Sequence, residues 1–412
     1  MTLHTYLPQD RLRALARGET LPDSAHGSAL FADISGFTPL TEKLTQSLGA
    51  RRGIEELTLR INTVYGALIG EVDRFGGSVI SFAGDAMTCW FDASADAPSA
   101  RAVTCAQAMQ AAMQGFPDLS VKVAVSTGPV RRFAAGDPES RLFDALAGAT
   151  VARLATAEHL ARAGEIILDQ ATTTLLQCSA RESRTAETGE RFFVLDLSST
   201  SSKGYSIQDD PAANTRHVQL DTDLLKPWIL PVVWRRESTG QGLFLTELRP
   251  TTALFVRFMG IDYDHDGQAK QKLDTIVSQA QRILERHGGI LLELTIGDKG
   301  SYLYASFGAS HVHEDDAQRA VRVSLELRQL FGDFAFLDSI QFGLSSGTTR
   351  VGAYGGTTRK QFGVLGDDVN LAARLTSLAK ASQTLLSEDT PMRPDTAKGE
   401  LVSGGKGKIA MW

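Results

Sequence analysis

Cysteine is scarce in this 412-residue chain. The three present, Cys89, Cys105 and Cys178, are odd in number and widely spaced, which excludes a disulfide framework and a zinc-type pairing. A reducing, cytoplasmic compartment is the expectation that follows. An excess of basic residues is missing too: 42 Lys and Arg stand against 48 Asp and Glu, with the signs interspersed. Such a balance leaves no electrostatic footprint for nucleic acid. No apolar stretch approaches the ~18 residues of a spanning helix, and the opening MTLHTYLPQDRLRALARGE lacks the apolar centre of a signal peptide. The longest candidate, WILPVVW at 228–234, is short and contains Pro231, so no membrane association is expected. What is there is ordinary for a globular protein: 42 % hydrophobic and 22 % charged residues, and enough chain for two or three domains with real cores.

The chain repeats itself. An apolar strand at 28–34 leads to a helix of helical apolar spacing in IEELTLRINTVYGALIGEVDRFGG, then to a hairpin pattern, SVISFAGDAMTCWF. The second half has the same order in TALFVRFMGID, AKQKLDTIVSQAQRILERHGG and ILLELTIGDKGSYLYASFG. The pairs Gly76-Gly77 and Gly288-Gly289, and the GD steps ending at Asp85 and Asp298, keep nearly the same offset. Each half goes on to a helix (98–115; 314–332), a strand, and a G-x-x-V helix start at Gly148–Val151 or Gly366–Val369. This order predicts an α+β fold with helices on one face of each sheet, in two copies related by a pseudo-two-fold. Residues 1–24 read as an N-terminal extension, 25–200 as the first domain, 201–240 as a Ser-, Asp- and Pro-rich linker, and 241–412 as the second domain.

The copies differ in their chemistry. In FADISGFT, Asp33 closes the first strand, and Asp85 lies in the turn of the next hairpin. An acid after a strand is commonly a turn or helix cap. Two acids at the tips of neighbouring strands, however, are the donor set for Mg²⁺, a hard cation that takes a few carboxylates together with phosphate oxygens. The position of Asp33 in the second half is Arg257, which cannot hold a metal. Conversely, GDDVNLAARL carries Asn370 and Arg374 one helical turn apart, where the first half has Ala152 and Thr156. Each half keeps what the other has lost, which predicts one composite site: acids from the first half, Asn and Arg from the second.

FADISGFTPLTEKL, GGSVISFAGDAMTCWF and GVLGDDVNLAARL resemble, in order and over about residues 25–412, the tandem catalytic domains of class III nucleotidyl cyclases, the soluble adenylyl cyclases in particular. The resemblance implies two ferredoxin-like (βαββαβ) domains forming an intramolecular pair that makes cyclic AMP from ATP. It implies two Mg²⁺ ions, with Mn²⁺ as a substitute, held by Asp33, Asp85 and the carbonyl of Ile34. The turn Ser35, Gly36 and Phe37 would offer N–H groups to the phosphates. Lys122 would reach the terminal phosphates, Asn370 would orient the ribose, and Arg374 would stabilise charge on the transferring phosphate. Lys299 matches the lysine that contacts adenine, whereas its usual partner position is Gly363, which has no side chain to offer; Gln361 or a backbone carbonyl would substitute. The alternatives are a cyclase that also accepts GTP and a catalytically inactive, nucleotide-sensing regulatory module. Bicarbonate-activated members carry a lysine and an arginine at a second site, where this chain has Ser81 and Ala155, with Arg153 close by. The resemblance also implies further C-terminal domains or a regulatory partner.

Two acidic clusters lie outside these motifs. Asp262, Asp264, Asp266 and Gly267 open like an EF-hand loop, but Leu273 stands where the bidentate Glu belongs, so an exposed acidic turn is expected. His311, His313, Glu314, Asp315 and Asp316 precede a helix, whose dipole explains acids in its first turn more simply than a metal does.

Overall fold

The computed structural model describes residues 3–197, 220–239, 247–390, 400–403 and 408–411. After helix α1 (Gln9–Ala16) the first half runs β1 (Ser24–Ser35), α2 (Phe37–Leu48), α3 (Ala50–Arg74), β2 (Ser78–Ala83), β3 (Ala86–Asp92), α4 (Pro98–Met113), β4 (Ser120–Ala135), β5 (Phe143–Ala147), α5 (Ala149–Leu160), β6 (Ile166–Asp169), α6 (Gln170–Leu176), β7 (Ala180–Thr185) and β8 (Arg191–Leu195). Two short helices, α7 (Thr222–Leu225) and α8 (Pro231–Ser238), precede the second half. That half contains β9 (Glu247–Met259), α9 (Ala269–Arg286), β10 (Ile290–Gly297), β11 (Gly300–Phe307), α10 (Asp316–Gly332), β12 (Ser339–Gly355), β13 (Lys360–Leu365), α11 (Asp367–Leu378), β14 (Thr384–Ser387), β15 (Glu400–Ser403) and β16 (Lys408–Met411).

The sheets have one topology. The first is ordered β2-β3-β1-β4-β6-β8-β7 with β5 on β4, the second β10-β11-β9-β12-β14-β16-β15 with β13 on β12. The α+β class and the repeat are therefore as the sequence predicts. Helices on a single face are not what forms. Successive residues of a strand point to opposite faces: Leu30, Ala32 and Ile34 join the core under α3 and α4, while Ala29 joins a second core with Val151, Leu154 and Ala157 of α5. The second half is built likewise, with α9 and α10 on one face and Val369 and Ala372 of α11 on the other.

The repeated glycine pair has a packing cause. Gly76 and Gly288 turn the chain out of their helices at φ +67° and +77°, where a side chain is strained. A Cβ on Gly77 or Gly289 would lie 2.7 Å from the ring of Phe91 or Phe307, so each glycine seats one buried aromatic of the following hairpin.

The halves exchange arms. Phe133, Ala135 and Phe143, at the β4–β5 end of the first half, sit in the core of the second. Tyr354 of the second half sits in the core of the first, with Leu365 packed against it. The N-terminal extension packs on the described part of the linker: Leu3, Tyr6, Leu7 and Leu12 form one apolar cluster with Leu225, Ile229, Leu230 and Val233 over the second sheet. The rest of the linker call, 201–219 and 240, lies outside the described residues.

The EF-hand-like loop is the exposed acidic turn expected, with Asp262, Asp264 and Gly267 all exposed, and it also reaches the other half. The α5 N-terminus has Gly148 as its cap and no side-chain cap of its own. Asp264 of the other half supplies one, accepting a hydrogen bond from the N–H of Ala149 at 2.8 Å. Replacing Asp264 by Ala should lower stability by about 1 kcal/mol, read as a drop in the thermal midpoint, with Ca²⁺ moving the midpoint of neither protein. Around the histidine cluster, His313 and Asp316 bond one another at the start of α10.

Candidate active site

Register brings the two acids together. On β1, Asp33 lies between Ala86 of β3 and Lys122 of β4. The residue before Ala86 is Asp85, and the carbonyl of Asp85 accepts a hydrogen bond from the N–H of Ile34 at 3.3 Å. Immediately afterwards Gly36 bends the chain at φ +108°, with any Cβ there 2.7 Å from the carbonyl oxygen of Asp118, and α2 starts at Phe37. The turn Ser35–Phe37 therefore opens a helix beside the acids, and only glycine fits its middle.

The charge at this corner is unevenly balanced. Lys122 Nζ pairs with Asp33 at 3.1 Å and also with Glu158 of α5. Burial raises the Asp33 carboxyl above its ordinary value, against the pull of Lys122. Asp85, exposed on one side of its turn, is pushed up to about 6, by desolvation first and then by Asp33. A carboxylate pair that holds its charge at a cost is a fitting donor set for a divalent cation. Among the described residues no group of three or more His, Cys, Asp or Glu forms a metal cage without a substrate. Two carboxylates and a carbonyl suit a cation that completes its shell from phosphate and water.

The second half meets this corner through aromatic rings. The Tyr65 hydroxyl donates to the carbonyl of Gly84, inside the acid turn, at 3.1 Å. Its ring centroid lies 5.8 Å from that of Tyr354, which is also 5.6 Å from Phe82. Tyr354 explains Gly363: a Cβ there would lie 2.9 Å from the Tyr354 ring. Gln361 Nε2 bonds the Tyr354 hydroxyl at 3.3 Å and Glu293 Oε1 at 3.0 Å. Burial pushes Glu293 up to about 8, against the nearby charge of Arg141. Asn370 and Arg374 stand exposed on α11, which follows β13 directly. Lys299 is exposed at the tip of the β10–β11 hairpin, which leans on α5. There His159, bonded to Glu158, comes within 3.8 Å of Asp298.

Asp33, Asp85, Ile34, Ser35, Gly36, Phe37 and Lys122 thus form one corner, and Gly363 backs onto it through Tyr354. Lys299 joins its edge through His159 and Glu158. Tyr65, Tyr354, Glu293 and Glu158 were not among the residues the motifs picked out. One signal was available: an acid inside the apolar run of ILLELTIG, where Glu293 interrupts a buried strand.

Residues 254–411 match the family described as the adenylate and guanylate cyclase catalytic domain. Over most of its length the chain is similar to adenylate cyclase type 10. It is 24 % identical over 383 residues to adenylate cyclase type 10 of Oryctolagus cuniculus, covering 86 % of this chain and 24 % of that one. The human adenylate cyclase type 10 is 23 % identical over 396 residues, with the same coverage. The chain thus spans about a quarter of the length of these curated relatives. Among solved structures, a class III adenylyl cyclase-like ATP-binding protein from Pseudomonas aeruginosa shares the fold, with a TM-score of 0.60, 14 % identity, and coverage of 89 % of this chain and 84 % of that one. Among the described residues no helix is long and apolar enough to cross a membrane.

Proposed function

We propose that the chain is a cytoplasmic adenylyl cyclase that converts ATP to 3′,5′-cyclic AMP and pyrophosphate at one composite site between its halves. The observation that carries this reading is the pairing of Asp33 with Asp85 at a strand end and turn pressed against the second half. The homology to adenylate cyclase type 10 supports ATP as substrate. Asp33, Asp85 and the Ile34 carbonyl would hold two divalent ions, Mg²⁺ or Mn²⁺, which supply Lewis acidity toward the 3′-hydroxyl and the triphosphate when bound.

The chain's own residues do the rest. N–H groups of the Ser35–Phe37 turn receive phosphate oxygens at the start of α2. Lys122 neutralises Asp33 in the ligand-free chain and turns to the terminal phosphates once that acid has another cation. Asn370 orients the ribose, and Arg374 meets the charge that develops on the transferring phosphate. Lys299 selects the base together with Gln361 or a backbone carbonyl, Gly363 having no side chain to offer; this leaves ATP preferred over GTP by fewer contacts than a side chain at 363 would give.

Two observations favour a second reading. The Tyr354 ring fills the space next to Gly363, and the structural relative is described as adenylyl cyclase-like and ATP-binding. A regulatory module that binds nucleotide without cyclising it fits both facts. Purified protein given ATP or GTP with Mg²⁺ or Mn²⁺ decides between the two: cyclic AMP from wild type supports the enzyme, and bound nucleotide without product under either metal supports the module.

A further inference from the structure

A composite site works only if its two walls keep a fixed spacing, and the structure shows what sets it. Strand β2, which leads into the acid turn, is an edge strand of its sheet, so a row of its carbonyls lacks a neighbouring strand. Consecutive carbonyls of a regular strand point to opposite sides, but β2 has a bulge between Val79 and Ser81. Two neighbouring carbonyls thereby reach one guanidinium: Arg359, at the entry to β13, donates from Nε to Val79 O and from Nη2 to Ile80 O, each at 3.0 Å. The third arm of Arg359 donates to Tyr6 O at 3.0 Å. Arg359 is buried, lies over the Phe82 ring and makes no ion pair with a carboxylate among the described residues; burial, with Arg141 nearby, lowers it to about 9. A guanidinium buried this way persists only while its carbonyl partners stay in place.

The N-terminal segment holds the third partner. Asp10 pairs with Arg132, and Arg11 Nε donates to Asp144 at 3.0 Å, so α1 is tied to the first half by buried charges. Asp144, despite burial, is held down to about 2 by Arg132 and Arg11. Gln9 Nε2 donates to Thr358 O of the second half at 3.2 Å, and Leu3 and Leu7 are buried in the second half's apolar cluster.

We infer that residues 3–16 and Arg359 form an interdomain clasp that fixes β2 against β13 and thereby positions the Asp85 turn relative to α11. Asp10, Arg132 and Arg359 are positioning residues, since none of them touches the acid corner. The inference rests on the composite-site reading for its effect on turnover, and on the geometry alone for its effect on the two strands.

The test uses the full chain with Arg359→Lys, which keeps charge but loses the fork, and Asp10→Asn, with Asp10→Glu as the conservative rescue. Amide hydrogen exchange is followed in 78–83 and 360–365 beside the kinetics. The clasp predicts faster exchange in both segments, a kcat reduced by up to about a hundredfold through misplacement alone, KM within about threefold, and recovery with Asp10→Glu. Unchanged exchange in both segments in a folded variant overturns it, whatever the turnover. If Arg359→Lys does not fold, Asp10→Asn decides. If wild type binds nucleotide but makes no cyclic product, the exchange measurement still judges the clasp while the enzyme reading fails by itself.

Discussion

Asp85→Asn should abolish cyclisation, by a factor of about a thousand or more, and at the same time make the ligand-free protein more stable at neutral pH. Both follow from one carboxyl. Asp85 is pushed up to about 6 by desolvation and by Asp33, so the folded chain binds its proton more tightly than the unfolded chain does. Its contribution to stability is therefore fully present at low pH and is lost as pH rises through about 6. Asparagine removes the charge, hence the penalty, but also the ligand. A divalent cation should raise the wild-type thermal midpoint at pH 7.5 and leave that of Asp85→Asn unmoved, because binding to the native state alone stabilises it. Since the ligand must be deprotonated, the wild-type kcat/KM should fall on the acid side near that same pKa. Asp33→Ala should be as inactive, but it strands Lys122 with Glu158 alone. An Asp85→Asn protein that keeps its turnover, or whose midpoint still responds to Mg²⁺, removes Asp85 from the metal site.

The two-fold repeat was legible in the sequence, and comparing Asp33 with Arg257, and Asn370 and Arg374 with Ala152 and Thr156, is what led to the proposal of a divided site. Strand and helix order followed from the two periodicities, which remain local properties of the sequence. What stayed hidden is non-local. Nothing near Asp264 in sequence says that it caps a helix of the other half. Gly363 looked like a missing contact, yet it is the room made for Tyr354, which arrives from the paired strand and touches the first half. Lys122 read as a phosphate-facing lysine, and only the register Asp33–Lys122 shows that it balances an acid in the ligand-free state. The outer-face helix α5 was misplaced for the same kind of reason: its apolar stripe is visible in sequence, but the face of the sheet it covers depends on how the chain crosses from β5.

Arg374→Ala offers the cleanest separation of function from structure. The side chain is exposed on α11, so its removal should shift stability by no more than about 0.5 kcal/mol. If Arg374 meets charge that exists only as the phosphate transfers, kcat should fall by about a thousandfold, as for an arginine finger supplied in cis or in trans, with KM nearly unchanged. Lysine at 374 restores the charge without the planar fork and should recover only part of the rate. The acids come from the first half and the arginine from the second, so mixing inactive Asp33→Ala with inactive Arg374→Ala carries a further expectation. In one chain each mutant keeps one defective wall, so no activity should return on mixing unless separate chains exchange halves. Recovered turnover would mean that the productive site forms between chains; continued inactivity is what a site closed within one chain, its walls already joined by exchanged arms, requires.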